Sequence, residues 1–409
     1  LGAKERNATS AIKIFAAVVF CYAVMEGFSI NIFSNYLVDA YNVSDRVRGL
    51  VETPRELPGI FIMFVLSALA MYSDVTLAVL SQLLCVGGLL VMGMMGPSFP
   101  AMIVFMVIYS TGTHLYFPLE SSIGMSLSEE GKVGETLGKL KSCSTFGYFV
   151  SAIAVFFGFR SGFFDFTTKV KMPLVLAALS SAVAAVLLMS LRKALADAPK
   201  REKSKLLVKR KYVPYYMITF AYGCQKRIRL VFGLWVFVKL LGYKADFTAL
   251  LLIASAAVGM VLSAQFGKLL DRLGLRNALL FEGAYIMFMF GAFGVLSRML
   301  ALADGPPSTL LLGISILIFI GSDATRFFEM FHAYTMRCIA ERPEDITPSL
   351  SVGQAVDHVM AMAISPLFGI VWAVWGPHWV FWMASASALF QLAAGWHFSR
   401  PCNLPEEAA

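Results

Sequence analysis

Hydrophobic residues fall along this chain in long runs parted by short polar turns. About twelve runs reach the roughly 20 residues that a helix needs to cross the hydrocarbon of a bilayer. Their approximate limits are 11–40, 47–72, 74–97, 98–128, 133–159, 169–192, 212–242, 244–270, 275–302, 308–341, 347–375 and 376–398. Backbone breakers mark connections between them: GPSFP at 96–100, DGPPS at 304–308 and WGPH at 375–378. Several runs exceed the minimum, so tilt or extension past the membrane surface is expected. A polar stretch over 193–211 divides six runs from six.

Composition agrees with a bilayer solvent. Of 409 residues, 58% are hydrophobic and 15% charged, where soluble domains average about 45–50% and about 25%. A water-soluble fold has too little interior to hide that excess. The expected class is an all-α polytopic membrane protein of about 12 transmembrane helices in two pseudo-symmetric six-helix bundles. Its expected domains are a bundle over 1–192, a basic linker over 193–211, a second bundle over 212–400 and a tail over 401–409.

The formal net charge is +8, and much of it lies in RKALADAPKREKSKLLVKRK, Arg192 to Lys211. The positive-inside rule puts this loop in the cytoplasm, and both termini with it; the cell (inner) membrane is the expected location. Anionic lipid headgroups are a second use for such a loop, and nucleic acid is not an expected partner. The cysteines, Cys21, Cys85, Cys143, Cys224, Cys338 and Cys402, show no metal spacing. They read as reduced packing residues, and no metal or cofactor is expected. The chain opens on Leu1, which suggests a trimmed start, and its first apolar run lacks the layout of a cleavable signal.

The halves echo each other. NIFSNYLVDAY ending at Tyr41 aligns with GLWVFVKLLGY ending at Tyr243, and SEEGKVGE from Ser128 with AERPEDIT from Ala340. Weak internal symmetry of this kind marks transporters.

After the eighth run comes GKLLDRLGLR, Gly267 to Arg276. It resembles the inner-loop motif of the major facilitator superfamily, G-x-L-x-D-R-x-G-x-[KR], through Gly267, Leu269, Asp271, Arg272, Gly274 and Arg276. It also falls where that family places it, between the second and third spans of a six-span half. Gly267 and Gly274 permit close approach and a tight turn, and Asp271 can face a helix N-terminus or an arginine. The resemblance implies the twelve-span fold, alternating access, a monomer, and contacts of this motif that latch one conformational state. The equivalent in the first half, AMYSDVTLAVL, retains only Asp74.

Ionisable residues inside the spans carry the candidate chemistry, because each costs about 2.5–3.5 kcal/mol at the bilayer centre and must face a partner, a cavity or a solute. They include Glu26; Glu52, Arg55 and Glu56; His114 and Glu120; Lys139 and Lys141; Lys226, Arg227 and Arg229; Asp323, Arg326, Glu329 and His332; and Asp357 with His358. The resemblance implies that spans 1, 4, 7 and 10 line the solute path. The mid-span residues Glu26, His114, Lys226, Arg229, Asp323 and Arg326 are therefore the candidate substrate-binding set. Helical spacing puts Lys226 with Arg229, and Asp323 with Arg326, on shared faces at i, i+3. Two readings stay open: a basic wall whose arginine forks hold a carboxylate or phosphate, or arginines that neutralise Glu26, Asp323 and Glu329. Glu26, Asp323 and Asp357 are the candidate proton-coupling acids. His114 reads either as a proton site or as a buried ring held by a neighbour.

No GxxxxGK[ST], HExxH or GxSxG appears, so neither ATP drive nor an enzyme is expected. The expected function is secondary transport of a small polar, anionic or zwitterionic solute, with protons as a coupling ion. A proton-driven exporter of amphipathic or cationic compounds is the alternative; an intramembrane enzyme or receptor is a distant third.

Overall fold

A computed structural model gives the fold and describes residues 2–43, 45–195, 208–243, 245–303, 305 and 307–398. All regular structure among them is helical. The helices are α1 (Gly2–Tyr41), α2 (Asp45–Ala68), α3 (Asp74–Leu90), α4 (Phe99–Ser126), α5 (Val133–Arg160), α6 (Met172–Ala194), α7 (Val213–Arg227), α8 (Ala245–Leu302), α9 (Thr309–Asp323), α10 (Glu329–Ile339), α11 (Ile346–Trp375), α12 (Pro377–Ser387) and α13 (Leu389–His397). Among the described residues, three of the joins keep the passage count at twelve. Continuous α8 holds two helices that kink at Gly274 (φ 68°, ψ 173°). A 3₁₀ turn over Ala324–Phe328 continues α9 into α10. The last passage is split between α12 and α13.

Eight stretches of described helix are long and apolar enough to cross a membrane, and Leu250–Leu302 among them contains two passages. The other passages depart for visible reasons. Charged residues and two internal prolines crowd α2, α7 gives way to π-helical turns, and α12 and α13 are short. Backbone groups inside hydrocarbon must be satisfied within the helix, and hydroxyls that lie there bond back onto their own helix. Thr111, Thr145, Ser315 and Thr335 each donate to the carbonyl four residues earlier. Large apolar side chains such as Phe288, Leu317 and Trp396 remain exposed, as suits a surface solvated by lipid.

The chain divides into two compact units, Leu1–Leu207 with Glu344–Ser351, and Val208–Pro343 with Val352–Ala409. In the first, α1 packs on α5 and α6, and α3 packs on α4 and α6. Two glycines bring α3 and α4 together: a Cβ on Gly88 would lie 2.6 Å from the Phe105 carbonyl oxygen, and one on Gly112 would lie 2.5 Å from that of Ser81. In the second, the halves of α8 pack on α9, α10, α12 and α13.

Two expectations need correction. The repeat register is shifted by two: α1 ends in a left-handed Asn42 (φ 51°) and the α7 passage in a left-handed Gly242 (φ 71°). The amide six residues on from Leu37, at Val43, bonds the Leu37 carbonyl at 3.4 Å, and that of Tyr243 bonds Phe237 at 2.9 Å. Both helices stop in the same way, at a left-handed residue followed by an amide that bonds back six residues, so Tyr243 corresponds to Val43 and not to Tyr41. The second correction concerns sulfur. Cys21, Cys85, Cys143 and Cys224 are free thiols, whereas Cys338 is disulfide-bonded. Cys402, the tail over 401–409 and linker residues 196–207 lie outside the described residues.

Candidate functional site

In the first unit the intramembrane charges meet hydroxyls and one another. Glu26 accepts a hydrogen bond from the Tyr148 hydroxyl, which α5 brings against α1. This approach depends on Gly27, where a Cβ would sit 3.0 Å from the Tyr148 ring. The His114 ring is buried. Its Nδ1 lies 2.8 Å from the Ser110 carbonyl and 3.1 Å from the Ser110 hydroxyl, and its Nε2 lies 3.8 Å from Glu56. Glu56 also takes the Arg55 guanidinium at 2.5 Å. Glu26 and His114 therefore have separate immediate partners. The Glu52 side chain lies outside the described residues.

Asp74, the one survivor of the motif in the first half, is heavily engaged. It opens α3 behind the Ser73 cap, where a helix N-terminus favours negative charge. Its Oδ2 accepts from Ser122 at 2.7 Å and lies 2.9 Å from the Thr347 hydroxyl, at the start of α11 within the same unit. In the second half, Gly274 supplies the left-handed turn of α8 and Gly267 is buried, while Arg272 and Arg276 are exposed. Asp271 and Arg337 both lie within electrostatic reach of Tyr334 on α10. Lys139 pairs with Glu135 one turn away at 2.7 Å on the exposed face of α5.

The second unit concentrates the basic residues, and helix irregularity decides which groups they meet. The α-helical part of α7 ends at Arg227, and a π-helical turn over Ile228–Gly233 follows. A π turn widens the helix and re-aims the side chains within it. Lys226 and Arg229, expected on one face, consequently take different partners. Lys226 Nζ bonds Asp357 Oδ2 at 2.7 Å, close to Gly223, where a Cβ would sit 2.9 Å from the Asp357 carbonyl. Arg229 turns to Asp323, donating from Nη1 to its backbone carbonyl at 3.1 Å.

Asp323 and Arg326 do meet, at 3.4 Å across the 3₁₀ turn. Asp323 also accepts from the Ser255 hydroxyl. Two guanidiniums thus flank one carboxylate. Arg229 is only 5% exposed, and its buried Nε makes no hydrogen bond, since the 3.9 Å to Asp323 Oδ1 is too long for one. Arg326 lies over the Phe327 ring at 4.9 Å, and Gly259 leaves room for both side chains. Phe327 and Phe328 are core residues, while Trp235 is partly exposed.

One buried pair escaped the sequence reading. Glu282 on α8 bonds His332 on α10 at 2.7 Å. His332 is visible in the sequence as an intramembrane ionisable group. Glu282 had its own signal, as an acid in the apolar run LLFEGAYIMFMF.

Outside the membrane-spanning segments, the loop after α10 is clamped to the start of α7. Glu341 takes Lys209 at 2.7 Å and Lys211 at 3.5 Å, and its amide donates to the Tyr212 hydroxyl at 3.0 Å. The hydrogen bond and charge of Lys209, followed by Lys211, hold the Glu341 carboxyl below its ordinary value.

Comparison with known proteins places this geometry in a family. The family model described as Major Facilitator Superfamily matches residues 15–341. No curated protein sequence is similar enough to this chain to count as a match. Among solved structures, the chain resembles a bacterial homologue of the iron transporter ferroportin in an outward-facing state, with TM-score 0.74, 12% identity, and 95% of this chain and 99% of that one covered. It resembles the proton:xylose symporter XylE bound to 6-bromo-6-deoxy-D-glucose, with TM-score 0.71, 14% identity, and coverage of 97% and 96%. It also resembles the human organic anion transporter MFSD10, with TM-score 0.68, 9% identity, and coverage of 95% and 99%. At these identities the likeness is one of fold.

Proposed function

Because the chain belongs to the Major Facilitator Superfamily, a family of secondary transporters of small solutes, we propose that its solute carries an anionic group held by Arg229 and Arg326. The observation that carries this reading is the buried Nε–H of Arg229, which lacks an acceptor in a group where two guanidiniums flank one carboxylate. A carboxylate or phosphate oxygen would satisfy that donor. Lys226 is the weaker candidate of the basic set, since Asp357 already takes its ammonium. Transport is coupled to protons in this reading, with Glu26, Asp323 and Asp357 as candidate acids. The basic linker and both termini face the cytoplasm, in the cell (inner) membrane, and the chain works as a monomer.

Thermal unfolding of the purified protein against a panel of organic anions and lipophilic cations tests the solute class. Stabilisation by anions is expected, with the shift lost in Arg229→Gln and in Arg326→Gln. Stabilisation by cations alone would favour instead an exporter of cationic compounds that uses Glu26 and Asp323. Solute flux indifferent to an imposed pH gradient would count against proton coupling.

A further inference from the structure

The connection between α5 and α6 carries cations that its place in the chain does not explain. Residues 160–171 hold Arg160, Lys169 and Lys171 against one acid, Asp165. The α6 passage leads from this connection to Ala194, where the basic linker begins. The connection therefore lies on the membrane face opposite that end of α6. The positive-inside rule gathers Lys and Arg on one face, and the linker end of α6 already defines it. The other connections that α1 to α4 make on the opposite face, 42–44 and 96–98, carry no charged residue.

The connection is held from several sides. Phe164 packs on Phe28 of α1 at 6.2 Å and on Phe159 of α5 at 5.7 Å. Phe166 packs on Tyr36 of α1 at 5.6 Å and on Phe159 at 5.3 Å. Gly158 makes room for this, since a Cβ there would run into the Phe164 ring. Asp165 accepts from the Thr167 amide at 2.7 Å and from its hydroxyl at 2.5 Å. Lys171 donates from its amide to the Gly93 carbonyl at 2.7 Å, and from its ammonium to the Thr168 carbonyl. Lys171 is buried, which leaves Arg160 and Lys169 as the exposed cations. Neither meets a carboxylate among the described residues.

Arg160 also closes one end of a hollow. The hollow measures about 550 Å³ and is lined by Val155, Phe156, Phe159 and Arg160. The guanidinium stands 5.8 Å from the centre of the Phe156 ring, within cation–π range. From there Phe156, Ile153 and Phe146, all exposed, descend one side of α5. The helix covers about 15 Å between Phe156 and Phe146, half of a hydrocarbon core roughly 30 Å thick. The stripe thus has the depth of one leaflet. We propose that this hollow binds an anionic glycerophospholipid, its phosphate on Arg160 and an acyl chain along Phe156, Ile153 and Phe146. An arginine fork matches phosphate oxygens, and Lys169 adds charge of the same sign. A free phosphate would use the guanidinium and leave the apolar stripe uncovered. The site belongs to the first unit and does not rest on the solute reading.

The test uses the full chain with p-benzoylphenylalanine in place of Phe157, an exposed residue one turn before Arg160 whose ring packs on Phe156 at 5.3 Å. The protein is reconstituted in vesicles of phosphatidylcholine and phosphatidylglycerol in equal parts, illuminated, and its lipid adducts are identified by mass. Because the photoreactive group sits at the hollow, lipid gathered elsewhere on the protein does not enter the count. The ratio of phosphatidylglycerol to phosphatidylcholine in the adducts should exceed the bilayer ratio about fivefold, the gain of one cation near an anionic headgroup. Arg160→Gln should bring the ratio down to that of the bilayer, and Arg160→Lys should keep most of the enrichment. Wild-type adducts at the bilayer ratio would overturn the proposal, as would an enrichment that survives Arg160→Gln combined with Lys169→Gln. Excess glycerol phosphate should leave the adducts in place; loss of the phosphatidylglycerol adduct to it would make this a free-phosphate site instead.

Discussion

Asp357 and Asp323 lie in the same unit, yet their partners differ in a way that sets what each can do. Asp357 has one ammonium at 2.7 Å, which leaves a pair of zero net charge. Lys226→Met strips Asp357 of that cation and should cost about 1–3 kcal/mol. The double variant Lys226→Met with Asp357→Leu should recover most of it, because an ion pair out of water is replaced by apolar packing. Thermal unfolding in detergent measures both, and additive losses would show that the pair is not coupled. Gly274 rests on backbone rather than charge. At φ 68° and ψ 173° it holds a conformation open essentially to glycine alone, which costs a residue with a Cβ about 1–3 kcal/mol. Gly274→Ala and Gly274→Asn should therefore both lower the unfolding temperature. Glu26, His114, Lys226, Arg229, Asp323, Arg326 and Asp357 all stand out in the sequence, because a charge in an apolar run is conspicuous. Their partners do not: Lys226 and Asp357 are 131 residues apart, and His332 and Glu282 are 50 apart.

Between helices, glycine sets the distance. Gly112 and Gly88 let α4 ride directly on the backbone of α3, the small-residue packing that lipid solvent favours. Gly112→Leu should force the two apart and destabilise the first unit, whereas Leu83→Ala, on an exposed position of α3, should change little. Both are read from thermal unfolding. The clamp at Glu341 belongs to the same scale and answers to pH. A carboxyl held below its ordinary 4.5 contributes stability above that value and loses it as pH falls through the lowered one. The pair is solvent-exposed, so salt should screen it. Glu341→Gln should therefore produce a small loss of unfolding temperature at neutral pH and low salt, and none in molar salt or strong acid.

For the whole molecule, the apolar runs are a good guide to passages: every predicted run has a helical body, with ends such as 69–72, 127–128 and 169–171 in turns or irregular backbone. Apolar length alone is stricter, since it accepts eight stretches and passes over those carrying charge, π turns or a break. Residues 344–351, the approach to and first turns of α11, group with the first unit although the rest of α11 belongs to the second. That assignment reaches Asp74 through Thr347 and has no counterpart in any local sequence pattern. Sidedness is tested at this scale. A protease site inserted at residue 200 should be cut in inverted vesicles and protected in right-side-out vesicles; the reverse would turn the protein over in the membrane.

The sequence by itself determined the solvent, the helices and the family. A backbone in hydrocarbon must bond within its own helix, so long apolar runs leave no other structure, and GKLLDRLGLR marks one turn between them. Tertiary structure alone decided which charges meet. A side chain's partner depends on how its helix is rotated against distant ones, and the π turn after Arg227 and the 3₁₀ turn after Asp323 alter that rotation locally. The result separates Lys226 from Arg229, gathers two arginines on one aspartate, and seals Glu282 against His332.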